Sequence, residues 1–429
     1  MNMDPRLALR FKELPVWGFL FILSLSVVTV GCGSYSNTTR KARDEYYSGH
    51  FSDAAKSLEK GSQEESVDQL LYILDRGTAL HNAGDYEQAI KEFRRADKLA
   101  EIVDYTSLSK EAATLVTNDK IIQYKGEDFE KVLINQYLAI DYLMMGMFED
   151  ALVESRRVNR KLYLMITEGK RKYKLNPMAK YLSAIIYEAS GQYNDAYIDY
   201  KSVYELAPDF PYLKQDLYRT AWKSGLDDAM EKLTREYSLT SAEKEEIRKN
   251  AARNEVIVLV ENGKSPEKQP HPNWQALPKY YPRSNAVDYV EVAVEGKPLG
   301  RSFQLFDIEQ TAIHDLDDKF AGLLAKRIAG VAAKEVIAYQ VEDKVNPLLG
   351  AVLRIGMHVA DQADTRSWLT LPKSFQIFRA PLDSDQLVHI KIAPRGAGGE
   401  AVEVHQEKEK VVETAKKAPK KVFIPVRIL

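Results

Sequence analysis

The sequence predicts an α+β chain: an N-terminal all-α helical-repeat solenoid followed by a smaller β-containing α/β domain. Two observations carry this. A glycine–aromatic–alanine pattern recurs through the first half, and runs of β-branched residues with a period of two begin near residue 255. The balance of charge adds a third constraint. With 60 Lys plus Arg against 62 Asp plus Glu in 429 residues, no global basic field recruits nucleic acid. The 7 histidines are scattered, and no zinc motif, phosphate loop or nucleotide fingerprint is present. No cofactor and no metal is expected.

The repeats are read first. Gly49, Phe51 and Ala54 recur as Gly84, Tyr86 and Ala89, the latter continuing to Phe93 and Ala96. Gly146, Phe148 and Ala151 form a third copy. Gly191, Tyr193 and Ala196 form a fourth, continuing to Tyr200 and ending at Pro208. A degenerate fifth unit lies at Lys223–Ala229. Glycine lets the chain leave one helix and turn into the next, and alanine lets two helices approach closely. A large residue four positions after the alanine lies on the same face one turn later. This spacing is similar to the tetratricopeptide (TPR) repeat. Successive turn glycines are 35, 62, 45 and 34 residues apart, so insertions or longer helices interrupt the array, chiefly at 101–131. Such arrays commonly bind peptides or proteins in a groove. Arg156, Arg157 and Arg160 are candidates to line it, although a solvated helix face is the simpler reading.

The second half changes character. After a charged helical segment, Ser241–Arg253, Glu255–Gly263 reads as a buried strand and Tyr289–Gly296 as a second. A Pro-rich stretch, Pro266–Pro282, lies between them. Ile308–Lys334 reads as amphipathic helix, and further strands are expected at Gln376–Arg379 and Leu387–Ile392. Residues 396–421 are charged and read as linker or long hairpin loop, with 422–429 as a last strand. In Ala363–Pro372, Asp364 and Arg366 are placed to pair, with Trp368 packed beside them. The expected organisation is therefore 41–240 helical repeats, 250–395 α/β domain, 396–421 linker and 422–429 strand.

The N-terminus carries a different kind of signal. Arg6, Arg10 and Lys12 precede Val16–Val30, 15 residues without a charge. At 1.5 Å per residue such a helix spans roughly 22 Å, short of the bilayer core, so a secretory signal is favoured over a transmembrane helix. Val30-Gly31-Cys32 then resembles the lipobox of bacterial lipoproteins, with Thr29 standing where leucine is usual. The resemblance implies cleavage after residue 31, lipidation of Cys32 with fatty-acyl chains such as palmitate, and a tethered linker over 32–40. Cys32 is the only cysteine, so no disulfide forms within the chain. Gly33 rather than Asp after it implies sorting to the outer membrane, facing the periplasm.

Lipobox, repeats, the Glu255–Gly263 strand and the Ala-Asp-x-Arg-Ser-Trp cluster together resemble a family of bacterial TPR-containing envelope lipoproteins. Members occur beside small lipoproteins similar to penicillin-binding-protein activators, which implies envelope assembly. The expected function is a non-enzymatic, membrane-anchored scaffold that binds envelope proteins through the TPR groove. The competing expectation is a cell-wall or polysaccharide hydrolase using Asp364, Glu291 and Glu295, since glycosidases work with paired carboxylates.

Overall fold

The structure, a computed structural model, describes residues 35–108, 123–167, 176–351, 354, 362–382, 387–404, 408–413 and 421–429. The expected signal peptide, the lipobox-like segment and Cys32 lie outside the described residues, as do parts of 101–131 and 396–421. The chain divides into two compact units between Arg40 and Lys41. The described part of the first holds a short helix, α1 (Tyr35–Thr38), whose last turn is tied by the Thr38 and Thr39 hydroxyls donating to the Tyr35 carbonyl.

The second unit begins with helices in pairs. They are α2 (Arg40–Tyr47) with α3 (Phe51–Gln63), α4 (Gln69–Ala83) with α5 (Tyr86–Leu108), and α6 (Asp128–Met144) with α7 (Phe148–Thr167). Next come α8 (Pro177–Ala189) with α9 (Tyr193–Leu206), α10 (Leu213–Lys223) with α11 (Asp227–Glu236), and a closing α12 (Ser241–Asn250). The turn glycines 49, 84, 146, 191 and 225 separate the members of each pair, all at φ between 67° and 82°. A side chain at that φ is strained, which accounts for glycine at each turn. In the first four pairs the next helix begins on the repeat's aromatic: Phe51, Tyr86, Phe148, Tyr193. The alanines at 54, 89, 151 and 196 are wholly buried, as are Phe93, Ala96 and Tyr200. Pro208 follows the end of α9 by two residues and is exposed. α5 runs for 23 residues, so a longer helix contributes to the wide second interval.

Two four-stranded sheets follow. One has the order β10–β1–β7–β6, from β10 (Lys421–Ile428), β1 (Asn254–Asn262), β7 (Ser374–Leu382) and β6 (Phe303–Asp307). The other has the order β5–β4–β8–β9, from β5 (Lys297–Arg301), β4 (Tyr289–Val294), β8 (Leu387–Arg395) and β9 (Lys408–Glu413). β1 pairs antiparallel with β7 and parallel with β10. Even-numbered residues of β1 (Val256, Val258, Val260) meet Val290, Val292, Ile390 and Ile392 of the second sheet in one apolar core. The odd-numbered residues face the helices, because successive strand side chains point to opposite sides. The first sheet is thus a middle layer between helices and second sheet, and the chain is α+β.

Three segments differ from expectation. The Pro-rich stretch forms a two-stranded hairpin, β2 (Glu267–His271) with β3 (Trp274–Tyr281), in which Pro270 sits opposite Pro278. A lone hairpin consists only of edges, where a missing N–H is tolerated. The helix expected to end at Lys334 continues to Lys344; this is α13 (Ile308–Lys344), capped by Asp307 accepting from the Gln310 amide. The charged stretch 396–421 contains a strand, β9, so it is not linker throughout. Its alternation Lys408-Glu-Lys-Val-Val-Glu413 suits an edge strand, with charges discouraging further pairing.

Candidate functional site

The distinctive chemistry lies where the helices meet the first sheet. The first member of each pair supplies the inner face. It receives three groups from the second half: an extended strap over 362–373, the odd-numbered face of β1 and β7, and Arg427 of β10.

The strap contains the Asp364–Arg366–Trp368 cluster. The Arg366 Nε lies 2.9 Å and its Nη2 2.7 Å from the two Asp364 carboxylate oxygens, and Nη1 reaches Asp68 at 3.0 Å. Trp368 is 1% exposed: its amide donates to Glu130 (2.7 Å) and its indole N–H to the Thr78 hydroxyl (2.9 Å). The Trp368 ring packs on Phe93 and Tyr137, a repeat aromatic and an inner-helix one. Thr370 donates both its amide and its hydroxyl to Asp75. The strap therefore runs along α4 and α6 with its polar backbone groups met by helix side chains. Burial, then the neighbouring Glu127, pushes the Glu130 carboxyl up to about 7.

Beyond the strap lies a buried imidazole. His81 of α4 bonds through Nδ1 to Asp141 of α6 and through Nε2 to Glu261 of β1 at 2.8 Å. Tyr137 donates to the other Glu261 oxygen at 3.0 Å. Burial alone would lower the His81 pKa, but the two carboxylates outweigh it and lift it to about 10, so the ring is an imidazolium at neutral pH. Arg427 lies alongside, donating to Tyr46 and to the Glu261 carbonyl.

A second charge cluster holds the later repeats. Arg379 of β7 forms a two-point pair with Glu255 of β1 (2.6 and 2.8 Å) and reaches Asp216 of α10 at 2.9 Å. Glu188 of α8 takes Arg219 at 2.6 Å and Lys421 at 3.2 Å. Burial would raise Glu188, yet Arg219, Lys421 and Arg379 hold it well below the usual carboxylate range. Such ion pairs keep their charge because each is met by several partners.

These clusters fill the inner face, where the repeat resemblance implies a partner groove, with the chain's own side chains. Arg156, Arg157 and Arg160 lie elsewhere, on the exposed side of α7 with Val153 and Tyr163. Arg156 donates to the Tyr187 hydroxyl, and Arg157 pairs with Glu154 and Asp97. The three carboxylates of the hydrolase expectation have separate partners. Asp364 holds Arg366, Glu291 accepts from Arg395 at 2.6 Å, and Glu295, at φ 48°, accepts from the His389 amide. Two cavities, of about 540 and 220 Å³, include none of them.

Sequence reasoning missed His81, Asp141, Glu261, Arg379 and Arg427. A signal was present: Glu261, Arg379 and Arg427 are charges flanked by apolar residues within strands, on the side of the period-two alternation that faces the helices.

No family model matches the chain, and no curated protein does. It is similar to a solved structure of MamA at 15% identity, over 48% of this chain and 94% of that one, with a TM-score of 0.32. MamA 41-end from Desulfovibrio magneticus RS-1 shows 15% identity over 49% and 92%, TM-score 0.32. The nearly identical TPR-like repeats of a Podosopora anserina kinesin light chain show 13% over 51% and 96%, TM-score 0.31. Likeness at this level says nothing of what this chain binds; the TPR-like form rests on its own helix pairs.

Proposed function

We propose that this protein is a lipid-anchored scaffold of the bacterial cell envelope that holds partner proteins on the outer side of its helical repeats. Cys32, acylated after loss of residues 1–31, is the anchor, with the mature chain on the outer membrane facing the periplasm. The observation that carries the scaffold reading is the exposed strip on α7. Val153, Arg156, Arg157, Arg160 and Tyr163 recur at helical spacing, all exposed, on an array whose inner face is occupied from within. Arginine and tyrosine side by side are the residue types that carry binding energy at protein interfaces. The strip suits a partner of acidic character. No chemical step is assigned to the chain.

A photo-crosslinking residue placed at Val153 or Tyr163 in living cells tests this. Adducts at both positions, lost in an Arg156→Glu, Arg160→Glu chain, are expected. Adducts at neither, with normal expression, sink the reading. Fractionation of a Cys32→Ala chain tests the anchor separately: it moves from the membrane to the soluble fraction, or the anchor is wrong.

A further inference from the structure

Exposed apolar side chains concentrate on one element. Ile328, Val336 and Tyr339 of α13 are 60%, 56% and 63% exposed, and Val345 just beyond it is 69% exposed, followed by Leu348 and Leu349. Between residues 321 and 340 the exposed positions are Ala321, Gly322, Ala325, Lys326, Ile328, Ala329, Val331, Ala332, Val336, Tyr339 and Gln340, with one charge among them. At 1.5 Å per residue this face extends roughly 27 Å. Arg327, on the side that packs against β3, donates to the Ala276 carbonyl, whereas Glu335 and Glu342 lie beside the exposed face, each about one turn from Tyr339, and are paired with Arg354.

Two further observations say what covers the face. Trp274, 49% exposed, stands at the tip of the β2–β3 hairpin opposite His271, whose ring meets Phe320 of α13 at 5.2 Å. An exposed indole beside an apolar helix face is the arrangement of a membrane–water interface. The anchored end of the chain also emerges at the base of this helix. Tyr47, at the end of α2, accepts from Arg283, whose amide donates to Glu309 in the first turn of α13. Nine residues separate Cys32 from Lys41, a reach of at most about 32 Å. α13, with 37 residues, is roughly 55 Å long. A lipid on Cys32 therefore keeps the Tyr47 end of α2, and with it the base of α13, tethered to a bilayer.

We infer that the outer face of α13, from Ala321 to Tyr339, and the Val345–Leu349 turn lie on the lipid bilayer as a second, non-covalent membrane contact. The inference rests on the anchor reading for its geometry. An apolar face of this kind takes lipid by partial burial at the headgroup–acyl boundary, as interfacial helices do. Its effect is to set the orientation of the array, so that α7 faces a fixed way relative to the membrane.

The test uses the full acylated chain, in which Cys32 is blocked, carrying one new cysteine at Val336, Val345 or Lys232, each labelled with an environment-sensitive fluorophore. Chains are placed in vesicles of phosphatidylethanolamine and phosphatidylglycerol. Blue-shifted emission, severalfold stronger and quenched by bromine-labelled lipid, is expected at Val336 and Val345 but not at Lys232 on α11. Labels at all three positions equally open to iodide on vesicle-bound chain overturn the inference. So does shielding of Val336 and Val345 in vesicle-free buffer where the chain sediments as a dimer, which assigns the face to a second copy. The mass of the purified chain decides the anchor independently. An unacylated chain whose labels still shift on vesicles defeats the anchor and keeps the α13 contact.

Discussion

The inner surface of the helical array and the outer face of α13 distribute polarity in opposite ways. At the first, the His81 imidazolium, Arg219, Arg366, Arg379 and Arg427 and the carboxyl groups of Asp75, Glu130, Asp141, Glu188, Asp216 and Glu261 are taken out of water, most of them met by partners from a distant part of the chain. At the second, isoleucine, valine and tyrosine stand in solvent on one face of a long helix. Burying charge is unfavourable unless geometry satisfies it, so the first arrangement specifies how helices and sheet dock. Exposing a contiguous apolar face is unfavourable unless something covers it, so the second specifies a contact outside the described structure.

Substitutions at the two surfaces are expected to separate cleanly. The largest loss is at Arg379→Met, which leaves Glu188, Glu255 and Asp216 short of a buried counter-charge. Urea unfolding should show a loss of about 3–5 kcal/mol. Trp368→Ala opens a cavity against Phe93 and Tyr137 and removes the indole bond to Thr78, for a similar cost of about 3–5 kcal/mol. If either variant unfolds like the parent chain, the strap and strands are not what holds the layers together.

The next effect depends on pH. His81 binds its proton more tightly in the folded chain, at about 10, than at its ordinary 6.5. Its stabilisation is therefore complete below 6.5 and is lost as pH rises through about 10. Glu130 behaves alike in a lower window: raised from 4.5 to about 7, it contributes fully below 4.5 and loses that as pH rises through about 7. Unfolding curves recorded from pH 5 to pH 10 should fall across this range, as a direct consequence of those two shifts. His81→Gln should flatten the upper part and Glu130→Gln the lower. A profile unchanged in both variants rules out His81 and Glu130 as its source.

Smaller again is Gly191→Ala, which places a side chain at φ 74° with open space around it. Strain alone predicts a loss of about 1 kcal/mol by thermal unfolding. Least of all, Ile328→Ser with Val336→Ser should change stability by no more than about 0.5 kcal/mol, since neither side chain is buried. A loss of several kcal/mol there would mean that the α13 face is packed within the protein, and the contrast between the two surfaces would disappear.

Part of this was open to inspection in the primary structure. The turn glycines and buried alanines could be read because their requirements are local: a left-handed φ and a close helix crossing leave a residue signature of fixed spacing. The first strand could be read from its β-branched run, and the Asp364–Arg366 pair from two-residue proximity. The prolines of β2 and β3 disguised a hairpin, because proline argues against strand unless the strand is known to be an edge. The end of α13 was hidden for another reason: its distal half is apolar on its exposed side, so amphipathic periodicity fades before the helix does. The strand charges Glu261, Arg379 and Arg427 were visible but mute, since their partners lie 180, 163 and 381 residues away at His81, Asp216 and Tyr46.

The sequence by itself determined the repeat units, the change from helix to strand and the position of the single cysteine, all properties of short windows. Only the tertiary structure decided that the inner face of the array is closed by strap and strands. It also decided that the apolar side of α13 faces outward. Both depend on which distant surfaces meet, and the energy of a buried charge or an exposed valine is set by that meeting, not by its neighbours in the chain.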